Sequence, residues 1–158
     1  MKLIVLFFMI IFILVIFITI KDNHSTFSAQ IKGNSMTPTF TNGQKISIQK
    51  DIQKINRFDV IIFNHIGDKY IKRVVGLPGE EVCYQGGVLY INDRVVSDPF
   101  IKGNENFSLY DISQMRIIPA QKYFVLGDNR DESSDSRHYG LIDEREILGL
   151  IPKKGWKK

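Results

Sequence analysis

The sequence predicts a mainly β protein: an antiparallel β-barrel or sandwich with a small β insertion, preceded by one N-terminal transmembrane helix. Three observations predict it. Leu3 to Ile20 is an unbroken apolar run with only Thr19 polar, near the length that spans a hydrocarbon core as a helix. Downstream, short apolar or alternating runs recur between Gly, Pro, Asn and Asp turns, the pattern of antiparallel strands. Outside the first segment helical periodicity is weak, and only residues 143–147 suggest a helical turn. With 158 residues, one domain beside the apolar segment is expected, long enough for a real core.

Taken in order, residues 3–20 read as a membrane anchor. A cleavable leader has a shorter apolar stretch, about 7–15 residues, ending at an A-x-A-like site. Here the run is longer, and the nearby pairs Thr26/Ser28 and Phe27/Ala29 fit that site poorly. Lys2 lies on one side, while Lys21 and Asp22 cancel on the other. The positive-inside rule then places Met1 in the cytoplasm and residues 31–158 outside. Residues 21–30 read as a short polar linker.

The body begins with Gly33-Asn34-Ser35-Met36-Thr37-Pro38-Thr39. Gly33 can adopt backbone angles closed to other residues, and Pro38 fixes its own φ. That suits a hydroxyl held on a stiff turn before a strand, although any Ser/Pro turn shares the pattern. Strands are then expected at 45–48, 60–63, 69–75, 81–84, 88–91, 94–96, 123–126 and 147–151. Gln85-Gly86-Gly87 signals a hairpin. Residues 98–115 read as a loop-rich excursion. Residues 81–119 are the room available for the insertion.

Composition narrows the function. The formal charge of +4 is concentrated at the termini, in Lys2, Lys153, Lys154, Lys157 and Lys158. The body is slightly acidic, so no basic groove for nucleic acid is implied. Cys83 is the single cysteine; it excludes an intrachain disulfide or a Cys-based zinc site and reads as packing.

A serine nucleophile needs a base. His24 falls in the linker and His65 at a turn, which leaves His138 as the histidine candidate. The other candidate is a lysine. In Tyr70-Ile71-Lys72-Arg73-Val74-Val75, strand alternation puts Tyr70, Lys72 and Val74 on one face. Burial lowers a lysine pKa and makes a neutral amine available near neutral pH. A solvated edge-strand lysine is the plainer alternative. The third stretch, Gly127 to Arg137, is dense in Asp, Asn, Ser and Arg. It suits a loop that orients an amine through a hydroxyl and braces itself by carboxylate–guanidinium pairs. A calcium loop is disfavoured by the missing sixth-position glycine and distal Glu and by two arginines. Ser47-Ile48-Gln49-Lys50 matches S-x-x-K, but it lies in an alternating strand pattern with no Lys-Thr-Gly after it.

Together these stretches resemble the type I signal peptidase family, the bacterial leader peptidases, in its short Gram-positive-like form. The resemblance rests on Gly33–Thr39, Arg57-Phe58-Asp59-Val60, Lys72–Glu80 and Gly127–Arg137, in the family's order, behind an N-terminal anchor. It implies that Ser35 is the nucleophile and Lys72 the general base. Ser133 would position the Lys72 amine, Asp135 and Arg137 would pair behind it, and Asp128 would pair with Arg73. Gly33, Asn34, Met36 and Pro38 would shape the nucleophile turn, the cleft and the oxyanion site. Some members carry a second serine where this chain has Gly33, so a second oxyanion donor is unassigned. The resemblance implies signal peptides of exported preproteins as partners, contact with membrane lipid, and no metal or cofactor. Two other readings carry different expectations: an inactive anchored homologue that only binds signal peptides, or a self-cleaving Ser–Lys regulator of the LexA type. The intact Ser35/Lys72/Ser133 set opposes the first, and an anchor in place of a DNA-binding helix-turn-helix opposes the second. The tail from Ile151 to Lys158, four lysines around Trp156, suits either of two roles: a solvated, disordered end, or a basic patch that presses the catalytic domain onto the membrane surface.

Overall fold

The computed structural model describes residues 9–12, 26–101 and 103–153. Most of the expected anchor (3–20), residues 21–25 of the linker and the lysine-rich end of the tail lie outside the described residues. Among the described residues no helix is long and apolar enough to cross a membrane.

Two antiparallel sheets make up the body. The larger is built from β1 (Thr26–Gln30), β2 (Lys45–Gln49), β3 (Val60–His65), β4 (Asp68–Gly76), β9 (Lys122–Leu126), β10 (Ile142–Asp143) and β11 (Ile147–Ile151), ordered β1-β2-β11-β3-β4-β9-β10. The smaller holds β5 (Val82–Gln85), β6 (Val88–Ile91), β7 (Arg94–Val96) and β8 (Phe107–Ser108), ordered β7-β6-β5-β8. The first sheet begins at β1 and ends at β10, which do not pair, so it does not close into a barrel. A short helix α1 (Leu109–Ser113) follows β8, and α2 (Ser136–Tyr139) follows the loop after β9.

Residues 26–30, assigned above to the linker, form β1 and pair along β2 from Thr26↔Gln49 to Gln30↔Lys45. The segment is polar but alternates, and Phe27 and Ala29 pack against the core while their neighbours face solvent. The excursion at 98–115 also contains order that composition hides. Ser108 accepts from the Asp111 N–H, and the Asp111 carboxylate accepts from the Ser108 N–H, a capping box that starts α1 and buries Leu109.

Core packing explains the two layers. Val82, Tyr84 and Leu89 of the smaller sheet pack on Val75, Phe124 and Leu126 of the larger. Beneath the nucleophile turn, Met36 and Phe40 pack on Ile48, Val60 and Ile62. β4 is central, flanked by β3 and β9. A side chain halfway along it is therefore surrounded by sheet on both sides.

Candidate active site

Ser35 sits on the turn after β1. Gly33 takes φ +81°, and its N–H donates to Asn42 Oδ1 at 3.0 Å. The Asn34 carbonyl accepts from the Thr37 N–H at 3.0 Å and from Thr37 Oγ1 at 2.9 Å. The Thr37–Pro38 peptide is cis. Met36 is 2% exposed and anchors the turn to the core, while Pro38 is exposed.

Lys72 is on β4, opposite Ile61 of β3, and is 3% exposed. Its Nζ lies 2.8 Å from Ser35 Oγ. A protonated amine donates there; a neutral amine accepts from the serine hydroxyl. Burial lowers the Lys72 pKa to about 8, against the opposing pull of the Asp135 and Asp128 carboxylates, with Arg137 assisting the decrease. The amine is thus available unprotonated close to neutral pH.

The Gly127–Arg137 loop closes over this pair from β9. The Asn129 N–H donates to the Ser35 carbonyl at 3.0 Å, and Asn129 Nδ2 donates to the Asn34 carbonyl at 3.3 Å. Asp135 is fully buried; it accepts from the Gly127 N–H at 3.0 Å and holds Arg137 by Nε and Nη2 at 2.9 and 3.0 Å. Burial pushes its carboxyl up, but the Arg137 and Gly127 hydrogen bonds outweigh that, so its pKa is lowered. Ser133 Oγ is buried beside Gly127 and makes no hydrogen bond to Lys72. The expected amine contact is therefore absent from this arrangement of the hydroxyl.

Arg73, also fully buried, points away from Lys72. It donates to both Asp128 oxygens, at 2.7 and 2.6 Å, to the Phe58 carbonyl at 2.7 Å and to Thr39 Oγ1 at 3.3 Å. Thr39 in turn donates to Asp128 at 2.5 Å. A buried guanidinium is tolerable because its charge and donors are matched. The pairing joins β4, the nucleophile turn and the loop after β9. Asp128 and Asp135 are thus both committed to guanidinium groups. Among the described residues no cluster of His, Cys, Asp or Glu could hold a metal ion.

His138 does not reach the serine. It lies on α2 with its side chain 59% exposed, where Nδ1 accepts from the Asp135 N–H at 3.4 Å. His65 pairs with Glu146 at 2.9 Å. His24 lies outside the described residues.

A cleft of ≈ 460 Å³ opens at Ser35 and Lys72, with Ala29, Ile31, Met36, Ile62 and Ile71 among its apolar lining. Of the four residues assigned to the turn and cleft, Met36 lines it, while Gly33, Asn34 and Pro38 shape the turn behind it. Sequence reasoning missed Thr39 and Asn129. Both stand inside the motifs quoted above, but no local pattern says that Thr39 meets Arg73 and Asp128 or that Asn129 meets the Ser35 and Asn34 carbonyls.

Gly127 is held to glycine by space. A Cβ there would meet Ser133 Cβ at 2.5 Å and the Ser35 carbonyl oxygen at 2.6 Å. Gly127→Ala is expected to displace both and to lose about 1–3 kcal/mol of stability from overpacking. Activity should fall about a hundredfold as the serine moves. Denaturant melts and turnover on the same sample check this; an active Gly127→Ala enzyme would show that the loop can shift freely.

A serine on the turn after β1 and a buried amine on β4 meet at one cleft, braced by paired carboxylates and guanidinium groups, an arrangement suited to a serine hydrolase of mainly β fold. The chain belongs to the signal peptidase, peptidase S26 family, whose sequence pattern it matches over residues 1–156. It is 40% identical to signal peptidase I V of Bacillus subtilis over 136 residues, 77% of this chain and 81% of that one. It is 36% identical to signal peptidase I of Bacillus caldolyticus, covering 80% of this chain and 77% of the relative. The crystal structure of a signal peptidase I from Enterococcus faecalis superposes with a TM-score of 0.59 at 37% identity, covering 65% of this chain and all of that one.

Proposed function

We propose that this enzyme is a membrane-anchored signal peptidase I that cleaves signal peptides from exported preproteins with a Ser35–Lys72 dyad. The observation that carries the reading is the 2.8 Å approach of a buried lysine, with its pKa lowered to about 8, to a serine hydroxyl in an open cleft. The relatives named signal peptidase I support the substrate class.

Neutral Lys72 takes the Oγ proton as Ser35 attacks the scissile carbonyl. The Ser35 N–H holds the oxyanion in a site poor in water. Lys72 returns the proton to the leaving amine, and water then hydrolyses the acyl-enzyme with Lys72 again as base. Ser133 serves the amine by turning its hydroxyl towards Nζ. The shallow apolar lining favours small side chains next to the cut. Residues 3–20 span the membrane with Met1 in the cytoplasm, so the catalytic domain works on the outer face, where the apolar part of a signal peptide also lies. Residues 9–12 are helical, in keeping with that anchor.

Incubation of the detergent-solubilised enzyme with a preprotein, followed by sequencing of the new N-terminus, tests the substrate. The expected cut follows a small residue at the end of the signal peptide. The pH profile tests the base. kcat/KM should rise with pH and level off above an apparent pKa of about 8. A limb centred near about 6.5 would indicate histidine instead.

A further inference from the structure

We propose that Asp98, contributed by the small second sheet, is a positioning residue for the reaction at Ser35, acting through Arg130. Asp98 follows β7, and its side chain is 1% exposed. Its carboxylate ties the small sheet to the loop at the site through Arg130. Oδ2 accepts from Arg130 Nη2 at 2.6 Å and from Tyr84 OH at 2.6 Å. Oδ1 accepts from the Phe100 N–H at 3.0 Å. Phe100 in turn lies with its ring centroid 4.2 Å from the Arg73 guanidinium carbon. One carboxylate therefore holds Arg130 directly and reaches Arg73 through Phe100.

Arg130 transmits the restraint. Its Nε donates to the Gly127 carbonyl at 2.9 Å, while its own carbonyl accepts from Arg137 Nη2 at 2.6 Å. The two peptides that flank Gly127 are thus held, one at the Gly127 N–H by Asp135 and the other at the Gly127 C=O by Arg130. Gly127 is also the residue against which the Ser35 carbonyl and Ser133 are packed. A shift of these peptides moves the nucleophile turn. Glu105 completes the cluster, 3.6 Å from Arg130 and 3.8 Å from Arg137, and burial raises its pKa. Three acids and two arginines at one junction exceed what packing the small sheet requires, since Val82, Tyr84 and Leu89 already bury its apolar face. Neither Asp98 nor Arg130 lines the cleft, so their effect should fall on turnover and spare substrate binding.

The test compares Asp98→Asn and Arg130→Lys with Glu80→Gln. The last breaks the Arg57–Glu80 pair, a bidentate but more exposed ion pair whose hydrogen bonds do not touch the Gly127–Arg137 loop. All are assayed with a signal-peptide substrate well below their Tm. Asp98→Asn and Arg130→Lys should lose about tenfold to a hundredfold in kcat, with KM unchanged within about twofold and the acid limb of the pH profile still near 8. Glu80→Gln should lower Tm and leave kcat alone. Wild-type kcat in both loop variants, or a loss confined to KM, would overturn the proposal. So would failure of both to fold where Glu80→Gln folds, because the cluster would then serve stability only. The inference rests on the Ser35–Lys72 reading, and the two fail separately: an active Ser35→Ala enzyme removes that reading whatever Asp98 does. A dead Ser35→Ala with a fully active Asp98→Asn removes only this one.

Discussion

Ser35→Ala should yield a folded protein whose turnover is below about a hundredth of wild type. The hydroxyl is the atom that bonds to the scissile carbon, so its removal leaves only oxyanion stabilisation and substrate binding. Folding should be spared. Ser35 is half-buried, among the described residues its hydroxyl hydrogen-bonds only Lys72, and the turn is held by Met36 in the core and by Asn129 on the Ser35 carbonyl. Comparison of thermal melts with cleavage of a preprotein decides the matter. A variant that melts like wild type and still cuts would mean that Ser35 is not the nucleophile.

Lys72→Arg should be as inactive as Lys72→Ala, because a guanidinium cannot lose its proton near neutral pH. His138→Ala should keep most activity, since that ring faces Asp135 and solvent. The reverse pattern would make histidine the base. Lys72 also carries a stability signature. Its folded pKa of about 8 lies below the 10.5 of an ordinary lysine, so between these values the unfolded chain binds more protons. Stability therefore rises with pH across that window, and the cost of burying the cation is fully present below about 8. By linkage this cost is on the order of 3 kcal/mol. Lys72→Met should thus be inactive yet more stable than wild type at pH 7, with the gap closing as pH approaches 10. Equal melts of the two proteins at pH 7 would show that the amine is not held against its charge.

Much of this was legible because it is local. Strand alternation placed Lys72 among apolar neighbours, and Gly33 and Pro38 announced a special turn. The order of the motifs pointed to the peptidase family. The expected pairs Arg73–Asp128 and Asp135–Arg137 are both present. The barrel was not correct, because closure depends on whether β1 and β10 meet, and no residue pattern encodes the meeting of two edges far apart in sequence. The linker at 26–30 became β1 because a partner strand satisfied its backbone, which turned a polar segment into half a ladder. Ser133 illustrates the same limit, since a motif names the residue but not its close packing against Gly127.

The sequence by itself determined which groups are available: a serine on a glycine–proline turn, a lysine in an apolar strand, an acid- and arginine-rich loop, and an apolar run of spanning length. Period, turn chemistry and charge are short-range properties, so they survive without coordinates. Only the tertiary structure decided that Lys72 meets Ser35 while His138 does not, and that Asp98 from the small sheet reaches Arg130 behind the site. Those contacts join residues 37 and 32 positions apart. They exist because burial of the shared core brings the sheets together, and that free energy belongs to the whole fold.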